Sequence, residues 1–141
     1  MREKMDVKDL AQNIVEFYEK LSSWEHEVVR GTDLTPNQMH AIEIIGHEKS
    51  LRMKELAERL GVTTGTLTVT VDRLEQKGLI QRQPHETDRR SYRVVLTPPG
   101  KKHFAKHHAF HVKLTEELAA ALTPEELESF NAVLGKVIKQ F

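Results

Sequence analysis

The stretch Leu56-Ala57-Glu58-Arg59-Leu60-Gly61-Val62-Thr63-Thr64-Gly65-Thr66-Leu67-Thr68-Val69-Thr70-Val71-Asp72-Arg73-Leu74-Glu75-Gln76-Lys77-Gly78 decides the fold. Leu56, Ala57 and Leu60 give a short helix beginning at Met53 its inward face. Gly61 stops it, because glycine enters the left-handed conformation that closes helices. Thr63 or Thr64 can cap the next helix, which runs to Lys77 and closes at Gly78. Val62, Leu67, Val71 and Leu74 form its inner stripe. Thr63, Thr64, Gly65, Thr66, Thr68 and Thr70, on the outer side, are small, and most carry a hydroxyl. Threonine favours strands, so a strand is the competing reading. The helical period of positions 67, 71 and 74 and the helix-forming run 72–77 decide against it. Helix, tight turn and second helix with a small-residue outer face meet the demands of major-groove entry.

Downstream the period changes. Residues 79–83 and 92–96 are strand-like, the second rich in Val and Tyr. Between them Pro84-His85-Glu86-Thr87-Asp88-Arg89-Arg90-Ser91 is a charged loop with little to bury, so the segment reads as a β-hairpin with a basic tip. Arg89 and Arg90 are placed to enter a narrow minor groove, whose negative potential favours arginine. Asp88 can hold an arginine extended through a paired hydrogen bond. Residues 51–97 thus read as a winged helix-turn-helix, with Thr63, Thr64, Thr66, Thr68, Arg73, Asp88, Arg89 and Arg90 as its DNA-facing set.

Helices flank this reader. Val7, Leu10, Ile14, Phe17, Leu21, Trp24 and Val28 recur every three to four residues, which predicts one long amphipathic helix ending near Gly31 and Asp33. Thr35-Pro36-Asn37-Gln38 supplies a capping residue, a first-turn proline and a capping-box glutamine for a helix over 36–46. Thr97-Pro98-Pro99 opens a fifth helix towards Leu122, and Thr123-Pro124-Glu125-Glu126 opens a last one. The expected class is mainly α with a small β-hairpin, a winged helix-turn-helix with N- and C-terminal dimerisation helices. Residues 1–34 and 98–141 would serve dimerisation and 35–97 would bind DNA. The terminal helices carry more apolar surface than one small winged domain can cover, and two-fold symmetry would double the contacts on a palindromic site.

Composition narrows the class. The 141 residues are 38% hydrophobic and 30% charged, and no apolar run approaches the roughly 20 residues of a membrane span. The first thirty residues carry charges throughout, without an apolar signal stretch. There is no cysteine, which excludes disulfides, thiolate chemistry and cysteine-ligated metal. A cytoplasmic protein is the expectation. Net charge is zero, yet residues 51–100 carry +3 and the remainder −3, a basic centre between acidic ends. No glycine-rich phosphate loop or nucleophile motif is present, so an enzyme is not expected.

The runs Leu56-Ala57-Glu58-Arg59-Leu60-Gly61-Val62, Val71-Asp72-Arg73-Leu74-Glu75-Gln76-Lys77-Gly78-Leu79-Ile80, Asp88-Arg89-Arg90 and Leu96-Thr97-Pro98-Pro99-Gly100 resemble the MarR family, and the helical order matches over essentially the whole chain. The resemblance implies homodimeric regulators whose first and last helices interlock while two winged domains read a palindrome in double-stranded DNA. It implies that Arg90 is the wing arginine of the minor groove. Val69 stands where members commonly carry arginine or another long polar residue.

Eight histidines are present. His107 and His111 are four apart on one helix, so both imidazoles face the same way and can chelate one metal. With His40 on the helix before the reader and Glu27 near the end of the first helix, they offer three nitrogens and one carboxylate oxygen, a set suited to tetrahedral zinc. The segment Leu34-Thr35-Pro36-Asn37-Gln38-Met39-His40 and the His107/His111 pair resemble the zinc-uptake repressors of the family. Met39-His40-Ala41-Ile42-Glu43-Ile44-Ile45-Gly46 and His107-His108-Ala109-Phe110-His111 also resemble its fatty-acid-synthesis repressors, which implies an acyl carrier or other organic effector instead. The other reading of these histidines is structural: they line a helix crossing and bond to one another, to water or to carboxylates. A winged helix serving as a protein-interaction module is the alternative to a DNA-binding regulator.

Overall fold

The computed structural model describes residues 4–84, 87 and 92–141. Among these residues nine elements follow one another: α1 (Val7–Arg30), α2 (Pro36–Glu48), β1 (Ser50–Arg52), α3 (Met53–Leu60), α4 (Thr64–Gln76), β2 (Ile80–Pro84), β3 (Tyr92–Leu96), α5 (Pro98–Ala119) and α6 (Pro124–Ile138). The caps read from sequence are made. Thr35 and Gln38 form a reciprocal capping box at α2, and Thr123 and Glu126 form one at α6, each satisfying orphan donors of a first turn. Two boundaries differ from expectation by two residues or more. Helix α2 continues past Gly46 to Glu48, and α5 ends at Ala119 instead of nearing Leu122.

The hairpin expected from sequence belongs to a three-stranded antiparallel sheet of order β1-β3-β2. The added strand is Ser50–Arg52, with Leu51 opposite Val94. Three residues leave no alternation to detect, so β1 has no signature of its own. It pairs because Leu51 is buried beside Val94 in the core.

The chain divides into two compact units, one reaching Phe104 and the other running from Ala105 to Phe141. The first unit holds the hydrophobic core, in which Ile42, Ile45, Leu56, Leu67, Val71, Leu74 and Val94 are fully enclosed. Burial of a side chain of this size contributes about 1.5–3 kcal/mol. Gly100 shows how tightly α5 begins: a β-carbon there would lie 1.9 Å from the Leu79 carbonyl oxygen. Thr97 fastens the same corner, donating its hydroxyl to the Gly78 carbonyl at 2.6 Å and accepting from the Gly100 amide at 3.2 Å. The second unit comprises most of α5 and all of α6, and α6 has no buried residue. Among the described residues, no helix is long and apolar enough to cross a membrane.

Candidate nucleic-acid interface

The turn before α4 is built as its sequence requires. Gly61 sits at φ 66° and ψ 32°, and its amide donates to the Ala57 and Glu58 carbonyls. The Val62 amide then bonds to Ala57 at 3.1 Å, so the end of α3 is satisfied before the chain turns. Thr63 caps α4, accepting from the Thr66 amide at 3.1 Å and donating to the Thr66 hydroxyl at 3.1 Å. Leu67, Val71 and Leu74 have no solvent exposure. Thr64, Gly65, Thr66, Thr68, Val69 and Arg73 face outward.

The outer threonines are partly committed already. Thr68 donates its hydroxyl to the Thr64 carbonyl at 2.8 Å, and Thr70 donates to Thr66 at 3.3 Å. A hydroxyl whose proton is held this way still offers lone pairs, and the side chain keeps its γ-methyl. Thr68 can therefore accept from a base amino group or touch a thymine methyl without breaking its internal bond. Val69, half exposed, offers only apolar contact.

One arginine joins α4 to the wing. Arg82 on β2 reaches Asp72 at 2.5 Å and Glu75 at 3.0 Å, and its own amide donates to Glu75 at 2.9 Å. Burial acts to lower the pKa of its guanidinium, but Asp72 and Glu75 more than offset that, and the pKa lies above the usual arginine range. Sequence reasoning missed this trio, because its members meet only when strand packs on helix. A groove of about 460 Å3 lies beside α4, lined by Thr64 and Thr68 together with Arg52, Lys54, Arg82 and Tyr92. Three cations beside small hydroxyl residues suit a phosphate backbone running along the groove-entering helix. Lys77 secures the far end of α4, donating to the Asp33 carbonyl at 2.5 Å. Asp88, Arg89 and Arg90 lie outside the described residues.

The histidine and carboxylate donors fall in both units. In the second, His107 and His111 bring their Nε2 atoms to 3.1 Å, with His107 only 3% exposed. One ring must donate and the other accept, so the pair holds one shared proton where a metal ion can stand. In the first, the carboxylates that α1 and α2 bring within 4.8 Å of each other are Glu25 and Glu43. Glu27 instead pairs with Arg30 at 3.3 Å and is 70% exposed, and His40 is exposed on α2. Each unit therefore carries donors of the kind a metal takes, carboxylate oxygens in the first and imidazole nitrogens in the second.

Known proteins share this architecture. The MarR family model matches residues 34–92. The uncharacterized HTH-type transcriptional regulator YcgE of Bacillus subtilis is 27% identical over 132 residues, covering 91% of this chain and 86% of that one. FabT of Streptococcus pneumoniae, solved in complex with DNA, superposes with a TM-score of 0.83 at 26% identity, covering 95% and 96% of the two chains. A mutant MarR from E. coli, complexed with operator DNA, gives a TM-score of 0.73 at 29% identity over 93% and 94%. In its helix-turn-helix, wing strands and flanking helices the chain is similar to the MarR family of winged helix-turn-helix transcription regulators.

Proposed function

We propose that this protein is a repressor that binds a palindromic operator in double-stranded DNA as a homodimer, with its affinity set by a small effector. The observation that carries the reading is α4, whose outer face of Thr64, Gly65, Thr66 and Thr68 is exposed while its inner face is fully enclosed. Such a helix can enter a major groove without steric penalty, and the cations of Arg52 and Lys54 beside it favour phosphate. The solved complexes of FabT with DNA and of MarR with operator DNA support the same use of the fold. Thr63, Arg73, Asp88, Arg89 and Arg90 complete the DNA-facing set, the last three from the wing tip.

A second copy of the chain is the natural cover for the terminal helices. Val7 and Ile14 on α1 are 76% and 59% exposed, and Val133 and Ile138 on α6 are 55% and 68% exposed. Apolar faces of this extent mark association surfaces, and closed two-fold pairing matches a palindrome. Residues 1–34 and 98–141 then serve dimerisation and 35–97 reads DNA. Fluorescence anisotropy with DNA from the protein's own promoter region tests the reading. A salt-sensitive, sequence-selective complex with two chains per site is expected. A protein that binds this DNA no better than random sequence would instead be an interaction module.

For the effector, zinc is the reading that the side chains favour, with the His107/His111 pair supplying two nitrogens and carboxylates the oxygens. Glu27 and His40 are the partners that the sequence offers to complete the set. An acyl carrier or other organic ligand is the alternative.

A further inference from the structure

Eight consecutive residues of α4, Thr64 to Val71, include no side chain that is both long and polar. The inner positions among them, Leu67 and Val71, are fully enclosed. Successive helical residues are turned about 100° from one another, so Val69 falls nearly opposite the stripe of Leu67, Val71 and Leu74. It is 51% exposed and stands at the centre of the outer face. One turn earlier on the same line is Gly65, where a β-carbon would meet only the Thr63 hydroxyl, at 3.9 Å. A β-branched residue at an exposed helical position forms helix less readily than alanine or a straight polar chain. Neither packing nor local propensity therefore accounts for a valine here.

The threonines around it decide which base edge suits this face. Thr63 donates its hydroxyl to the Thr66 hydroxyl at 3.1 Å. Thr68 donates to the Thr64 carbonyl at 2.8 Å, and Thr70 to the Thr66 carbonyl at 3.3 Å. With those protons held, the three hydroxyls meet a base through lone pairs, as acceptors. Guanine presents two acceptors to the major groove and is poorly served by such a face. An A·T pair presents an adenine amino donor and a thymine methyl, one suited to the lone pairs and the other to Val69. A guanine or cytosine edge buried against the valine would instead leave polar atoms unpaired. Arg52 and Lys54, beside Thr64 and Thr68, supply cations for the phosphate backbone, which leaves base discrimination to the outer face of α4.

We propose that Val69 is a specificity-determining residue that reads a thymine through its C5-methyl group, once in each half-site of the operator. The proposal rests on the operator reading above and names the base chemistry that this site selects.

The test starts from duplexes that the full chain selects out of a random pool. Each thymine of the selected site is then replaced singly by deoxyuridine, which removes the methyl and leaves every hydrogen-bonding group in place. Affinities are measured for the parent and for Val69→Ala, a substitution that favours the helix and opens no core cavity. At one thymine per half-site, loss of the methyl should weaken parent binding about fourfold, the effect of one buried methyl-sized group. Val69→Ala should bind the unmodified site several-fold more weakly and lose nothing further from deoxyuridine at that thymine. Its thermal melt should match or exceed that of the parent, so the loss is one of contact. Selection that enriches no sequence would remove the operator reading, and this proposal with it. A selected site insensitive to deoxyuridine at every thymine, or equal deoxyuridine losses for parent and Val69→Ala, would overturn the proposal and leave the operator reading standing.

Discussion

Arg82 and Glu75 are joined twice, through the Arg82 amide to Oε1 at 2.9 Å and through the guanidinium to Oε2 at 3.0 Å, so wing strand β2 is fastened to helix α4 by main chain and side chain together. The guanidinium also holds Asp72 at 2.5 Å. Replacing Arg82 by Met keeps the aliphatic stem and leaves two carboxylates facing each other. With the arginine side chain 23% exposed and Asp72 52% exposed, the loss of stability should be about 1–2 kcal/mol, read by urea denaturation. Operator affinity should fall further than the stability loss explains, because wing and helix no longer arrive in register. Since the Arg82 pKa is raised, its stabilising charge is fully present below the usual arginine range and is lost only above it. Titration of this guanidinium should therefore leave stability unchanged between about pH 7 and 10.

Thr68 gives a test of base reading that spares the fold. Its hydroxyl already donates to the Thr64 carbonyl at 2.8 Å, and its methyl and lone pairs remain for DNA. Thr68→Val preserves shape and methyl, and its thermal stability should match the parent within about 0.5 kcal/mol, as expected for an exposed position. Operator affinity should drop about tenfold if the lone pairs accept from a base, since one good base contact is worth about 1–3 kcal/mol. Unchanged affinity would assign the contact at this position to the methyl alone.

Arg90→Ala addresses the wing tip. Its loss should weaken operator binding and lower the slope of log affinity against log salt by about one, the signature of one phosphate-region cation removed. Anisotropy titrations at several salt concentrations give both quantities from one series.

Much of the fold was legible because it rests on local chemistry. The glycine at 61, the capping threonines at 35, 63 and 123 and the stripe Leu67, Val71 and Leu74 each announce themselves within a few residues. What sequence could not show is pairing across distance. Strand β1 is three residues long and exists through its register with β3. Arg82, Asp72 and Glu75 read separately as surface charges until strand and helix meet. Gly100 was visible as part of a motif, but its reason, the Leu79 carbonyl 1.9 Å from where a β-carbon would stand, is a contact between segments twenty-one positions apart. Gly100→Ala should consequently destabilise by about 3 kcal/mol, the upper end of overpacking costs, because backbone yields less than side chain. Differential scanning calorimetry would register this as a clear fall in Tm.

The His107/His111 pair makes the metal question answerable with point variants. Their Nε2 atoms are 3.1 Å apart and share one proton, so a zinc ion entering between them must displace it. Calorimetric titration of metal-free protein in two buffers of different ionisation enthalpy should reveal both zinc uptake and proton release. His111→Ala should lower zinc affinity by roughly a hundredfold, as expected when one of about four ligands is lost. The remaining donors are then tested singly. Glu27→Gln and His40→Ala should weaken zinc binding if the sequence-derived set is used, at the cost of breaking the Glu27–Arg30 pair. Zinc that binds the parent and all three variants equally would leave the imidazole pair a purely structural hydrogen bond. Adding operator DNA to the zinc-loaded parent completes the test, because a controlling metal must bind the DNA-bound and free forms with different affinity, and by linkage must change operator affinity by the same factor.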